Sequence, residues 1–235
     1  MNAVVSVSYC NAHVKGAAPW AGGTRLDGAL HARWLEEACG LYLDGVRSDD
    51  GHLYEVPAVV IVSTAFDGIL HVEAGEERDA LWRCARRGVG IMGDAANPNH
   101  QVGAALCLRL GLEYAGKLGH DYLVHTAEDV LPRPGALAAV LHALADGSEY
   151  AGYAWGVGTP AEGLNAQFFA CRVPYLAGKF DPAAVTGAGH IEGYLRDLLA
   201  GKKLWLAVAP EVRYRHTHDY EEWKRWKGEQ DGLAT

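Results

Sequence analysis

The sequence has no apolar stretch long enough to cross a bilayer. The longest, residues 56–62, falls far short of the roughly 20 apolar residues that a spanning helix needs, which excludes a multispanning membrane protein. Clusters of Lys and Arg are missing too. With 21 basic and 29 acidic residues the formal charge is −8, so an electrostatic hold on a nucleic-acid backbone is not expected. The opening Met1-Asn2-Ala3-Val4-Val5-Ser6-Val7 lacks the basic lead and long apolar stretch of a signal peptide, and a cytoplasmic protein is the expectation. No Cys-x-x-Cys pair occurs. The five cysteines, Cys10, Cys39, Cys84, Cys107 and Cys171, are odd in number and scattered, which reads as reduced, mostly buried thiols. An internal repeat, a low-complexity linker and a shift in composition are all lacking, so one domain over residues 1–235 is expected, with a core at about 3–219 and a helical tail at 220–235.

What is present is core material: 49% of the 235 residues are hydrophobic, enough for a large single core. Short β-branched runs alternate with longer helix-compatible stretches, the pattern of an α/β domain with a mostly parallel central sheet flanked by helices. Strands are predicted at residues 3–8, 57–63, 89–92, 121–125, 150–155, 166–172 and 204–209, and helices at 26–43, 76–87, 102–118, 133–144 and 191–200. In the first helix Leu30, Trp34, Ala38 and Leu41 recur at spacings of three and four, one apolar stripe between charged positions.

Three motifs carry chemistry. Gly88-Val89-Gly90-Ile91-Met92-Gly93 spells the dinucleotide fingerprint, but that fingerprint needs a strand before it and a helix opening from it. Here a helix precedes and the glycines flank the predicted strand, so no such cofactor site is expected. The stretch from Asp121 to Pro132 is more informative, since a buried-looking strand ends in Glu128-Asp129 before a proline turns the chain into a helix. Parallel sheets bind ligands at the carboxyl ends of their strands, where two carboxylates can hold a hard divalent cation. The plain structural reading is that both acids cap the following helix or face solvent. Near the other end His216-Thr217-His218-Asp219 places two imidazoles on one side of an extended segment. Alone, such a pair reads as a surface loop.

Together these residues give a resemblance over roughly residues 3–219, most specific at 119–137. The chain resembles glycosyltransferases of the GT-A fold, in the layout of the family-2-like enzymes that use nucleotide-activated sugars. The resemblance matches Val4 to Ser8, followed by Tyr9, Cys10 and Asn11, to the opening strand and base-binding turn. The acidic contact that the family places after its second strand falls to Asp67, later than the family pattern. Asn97-Pro98-Asn99-His100 matches the entry to the helix before the metal strand, which makes Asn99 a nucleotide-site candidate. Thr126-Ala127-Glu128-Asp129 stands where the family has its Asp-x-Asp motif, with Thr126 in the first acidic position. Metal binding by Mn²⁺ or Mg²⁺ would then rest on Glu128 and Asp129, with His216 or His218 completing the shell. Asp219 is placed to orient the His218 ring. Gly189-His190-Ile191-Glu192 opens a late helix where the family carries its base, so Glu192 or His190 takes that role. Trp155 and the loop at 156–163 are candidates for the sugar or acceptor site.

The implied activity is metal-dependent transfer of a sugar from a nucleoside diphosphate sugar to an unidentified acceptor hydroxyl, with inversion at the sugar carbon. Two alternatives stay open: a nucleotidyltransferase of similar layout, and a GT-A-like protein that binds a carbohydrate or partner without catalysis.

Overall fold

A computed structural model describes residues 2–9, 28–43, 46–47, 53–54, 58–63, 76–94, 100–133, 135–155, 163–185, 190–207 and 214–233. In chain order the elements are β1 (Ala3–Ser8), α1 (Gly28–Leu43), β2 (Val46–Arg47), β3 (Leu53–Tyr54), β4 (Ala58–Ser63), α2 (Glu76–Arg86) and β5 (Gly90–Gly93). Then come α3 (His100–Lys117), β6 (Tyr122–Ala127), β7 (Val130–Pro132), α4 (Ala136–Ala145), β8 (Tyr150–Gly152), β9 (Ala154–Trp155), β10 (Gly163–Leu164) and β11 (Phe168–Arg172). The chain closes with α5 (Val173–Ala177), a 3-10 turn (Pro182–Ala184), α6 (Ile191–Leu198), β12 (Leu204–Leu206), β13 (Tyr214–His216) and α7 (Tyr220–Leu233).

Seven strands make one sheet in the order β5-β4-β1-β6-β11-β8-β12. β1 pairs in parallel with both β4 and β6, whereas β11 runs antiparallel to β6 and β8. The sheet is therefore mostly parallel, with one reversed strand. Alternation along β1 divides the core: Val5 and Val7 join Val59, Ile61 and Val124 under α1, α2 and α4, while Val4 joins Val60, Val62 and Leu123 under α3 and α6. Helix α3 lies close on β1. A Cβ at Gly111 would stand 2.7 Å from Ser6 Oγ and 3.0 Å from Ser6 Cβ, so only glycine admits this approach.

Strand order climbs from β5 back to β1 and then jumps to β6. The carboxyl ends of β1 and β6 thus flank the place where the order reverses, the usual ligand crevice of open α/β sheets. The glycines around β5 do not form a cofactor turn, because α2 precedes them and Gly88, at φ 88°, simply ends its turn.

One expectation about local structure is corrected here. After Asp129 the chain does not turn directly into a helix; Val130–Pro132 continues extended as β7 and pairs antiparallel with β13. Helix α4 begins only at Ala136 and is preceded by Gly135, at φ 76°, with no side-chain cap, so Glu128 and Asp129 are not its caps.

Candidate active site

Strand β6 delivers its last residues to the crevice, and Glu128 N still donates to Ser8 O at 3.1 Å, so the turn stays stitched to the end of β1. Asp129 follows, 10% exposed at its side chain. Opposite it, β13 pairs His216 with Val130, and Thr217 N donates to Asp129 O at 3.3 Å. This pairing carries both imidazoles onto one carboxylate oxygen. His216 Nε2 lies 3.0 Å and His218 Nδ1 3.1 Å from Asp129 Oδ2. The two rings meet edge to face with centroids 4.7 Å apart.

Burial alone raises the Asp129 carboxyl, but the hydrogen bonds and charges of the two histidines outweigh it and hold the group well below the usual carboxylate range. For His216 burial works against the imidazolium, yet the Asp129 hydrogen bond and the charges of Asp129 and Glu128 leave it raised above its ordinary value. Asp129, His216 and His218 form a cluster whose donor atoms all lie within 4.8 Å of one another. Glu128 falls outside that cluster. Its buried carboxylate acts electrostatically on His216 and on Cys39 of α1.

The other sequence candidates are distributed as follows. Tyr9 sits in the core, 2% exposed, with its N–H donated to Val62 O at 2.9 Å. Asn11, Asp67 and Asn99 lie outside the described residues, as does the loop at 156–162. His190 is the exposed N-cap of α6 and Glu192 occupies the first turn of that helix. A Cβ at Gly163 would lie 2.8 Å from Glu192 Cβ, and the charge of Glu192 adds to the burial that raises the Tyr150 and Tyr214 phenols. Asp219 is engaged by the helix that follows it. Its Oδ1 accepts from Glu221 N at 2.9 Å and Glu222 N at 3.3 Å, capping α7.

Behind the histidines runs a chain of polar side chains that sequence reasoning missed. Asn165, Gln167 and Tyr214 connect the end of β10 to His216 by hydrogen bonds of 2.6, 2.7 and 3.5 Å. The available signal was an Asn and a Gln beside the apolar run of β11, where a strand buried on both faces has little use for amides.

The architecture has known counterparts. The fold is one shared with solved structures. The chain is similar to a 4-diphosphocytidyl-2C-methyl-D-erythritol synthase structure at a TM-score of 0.56 and 12% identity, covering 96% of this chain and 98% of that chain. It is also similar to a cytidylyltransferase from Leptospira borgpetersenii serovar Hardjo-bovis at a TM-score of 0.50 and 14% identity, covering 96% and 84%. At such identities the likeness is one of fold. The sequence matches no protein-family model and no curated protein. Among the described residues no helix is long and apolar enough to cross a membrane.

Proposed function

We propose that this protein is a divalent-cation-dependent glycosyltransferase that moves a sugar from a nucleoside diphosphate sugar to an acceptor hydroxyl. The observation that carries the reading is Asp129, buried at the carboxyl end of β6 where strand order reverses, with two imidazoles closing on its Oδ2. One carboxylate with two imidazoles is a mixed oxygen and nitrogen donor set, which suits Mn²⁺ better than Mg²⁺. Asp129 and at least one of the adjacent histidines would hold the cation, with Glu128 adding negative charge. When bound, the cation neutralises the developing charge on the diphosphate leaving group. Asn11, Asp67 and Asn99 are the residues that we assign to the nucleotide, whereas Tyr9, buried in the core, is not. Glu192 is the base that takes the acceptor hydroxyl proton onto its carboxylate, and His190, two residues earlier, is the alternative. A base on the face opposite the leaving group gives inversion.

The likeness in fold to a cytidylyltransferase supports a second reading, nucleotidyl transfer from a nucleoside triphosphate to a sugar phosphate. One experiment separates the two. Purified protein with Mn²⁺ is given a panel of nucleoside diphosphate sugars, and separately nucleoside triphosphates with sugar phosphates. Release of nucleoside diphosphate supports glycosyl transfer; release of pyrophosphate supports nucleotidyl transfer; neither product, with ligand still bound, supports a binding protein.

A further inference from the structure

The direction of every hydrogen bond behind His216 follows from one fixed end. Asn165 Oδ1 accepts two backbone N–H groups, from Gln167 at 2.9 Å and Phe168 at 2.9 Å. A backbone N–H can only donate, so the Asn165 amide has one orientation and its Nδ2 points to the Tyr214 hydroxyl at 2.6 Å. Nδ2 also only donates. Tyr214 Oη therefore accepts from Asn165 and directs its own proton to Gln167 Oε1 at 2.7 Å. Gln167 is fixed in turn, with Nε2 facing His216 Nδ1 at 3.5 Å. Because Nε2 of an amide has no acceptor capacity, Nδ1 must be the acceptor. The ring proton of neutral His216 then lies on Nε2, which donates to Asp129 Oδ2 at 3.0 Å.

We infer that Gln167, oriented by Asn165 and Tyr214, is a positioning residue that fixes His216 as a proton donor to Asp129 and keeps it from ligating a cation. Ligation through Nε2 requires the ring proton to move to Nδ1, where it would meet the Gln167 N–H₂. Turning Gln167 over does not relieve this, since the Tyr214 proton would lose its acceptor while Asn165 Oδ1 is already held by two backbone N–H groups. Asp129 and His218 are then the pair left to grip the metal, with His216 holding the carboxylate in place, an outer-shell role of the kind that sets ligand orientation. The part of the inference that concerns a cation rests on the metal-dependent reading above; the polarity of the network does not.

The test uses the full chain with ¹⁵N-labelled histidine and long-range ¹H–¹⁵N spectra, first without metal and then with Zn²⁺ as a diamagnetic probe. The expected result is a His216 proton on Nε2 in both states, with Zn²⁺ moving the His218 signals. A His216 proton on Nδ1, or Zn²⁺ moving the His216 nitrogens as strongly as those of His218, overturns the inference. The second measurement is Gln167→Glu, which places an acceptor against Nδ1 and so allows Nε2 to ligate. The ratio of Zn²⁺ to Mg²⁺ affinity should rise on the order of 10- to 100-fold, because an added imidazole ligand favours Zn²⁺ whereas added charge alone favours both ions. Equal gains for both ions count against the inference. A wild type that binds neither ion, yet keeps the proton on Nε2, supports the polarity of the network and overturns the metal-dependent reading.

Discussion

Asp129 and His216 are 87 residues apart in the chain, yet their side chains meet at 3.0 Å. Neither belongs to the seven-stranded sheet. The small antiparallel pair of β7 and β13 makes the contact, at the register that sets His216 beside Val130. His218, two residues on, reaches the same oxygen.

The first prediction tests that junction as a metal centre. Mn²⁺ should strengthen nucleoside diphosphate binding to the wild type, and Asp129→Ala should remove the strengthening, a loss of at least about tenfold in affinity. Isothermal titration with and without Mn²⁺ gives the comparison. Identical isotherms for the two proteins with metal present would dismiss Asp129 as a ligand.

Glu192→Gln keeps the shape of the side chain and removes its capacity to take a proton. Donor binding should survive while transfer falls on the order of 10²- to 10⁴-fold. His190→Gln is the companion variant, and rates for both are read at saturating donor. If only His190→Gln abolishes transfer, the base lies two residues earlier.

His125 in β6 provides a pH dependence of stability. Burial lowers its pKa from 6.5 to about 4, its ring tilts against Phe169, and its Nδ1 has no hydrogen-bond partner among the described residues. The unfolded chain takes up this proton near pH 6.5 and the folded chain only near pH 4, so between the two the unfolded state binds more protons and stability falls as pH falls. The loss attributable to His125 should reach about 2 kcal/mol by pH 5. Urea unfolding of wild type and His125→Leu at pH 7 and pH 5 measures it. A wild-type slope that His125→Leu leaves unchanged would assign the acid sensitivity elsewhere.

The C-terminal helix should matter for both stability and the site. Trp223 is fully buried against Trp34 of α1, with ring centroids 6.2 Å apart, and the Tyr220 hydroxyl donates to Glu37 at 2.6 Å. Trp223→Ala should cost about 3–5 kcal/mol in chemical unfolding. The segment with His216 and His218 enters this helix through the Asp219 cap, so Mn²⁺ affinity should weaken in the same variant. Trp82→Ala, at a side chain 44% exposed, should stay within about 0.5 kcal/mol of wild type.

The β-branched run Ala3–Ser8 could be read as a strand from the sequence, and so could β4, because a strand buried on both faces has few polar positions and its composition announces it. Helix α3 was legible for a similar reason: its Ala and Leu content and the terminal Lys117 with Gly119 are local signals within a turn or two of each other. The α/β class and the acidic strand end at Glu128 and Asp129 followed from the same kind of evidence. Strand β7 was missed because three residues ending in a proline carry no period, and because Pro132 reads as a helix entry until a partner strand is known. The reversed direction of β11 is likewise decided by its neighbours, since Phe168–Arg172 has the same composition whichever way it runs. The sequence by itself supplied the carboxylate and the two histidines as chemical types. Only the tertiary structure brought them together. Closing a contact over 87 residues depends on strand pairing at a distance, and the orientation of His216 depends on Asn165, Gln167 and Tyr214, whose roles are set by backbone N–H groups that a sequence does not locate.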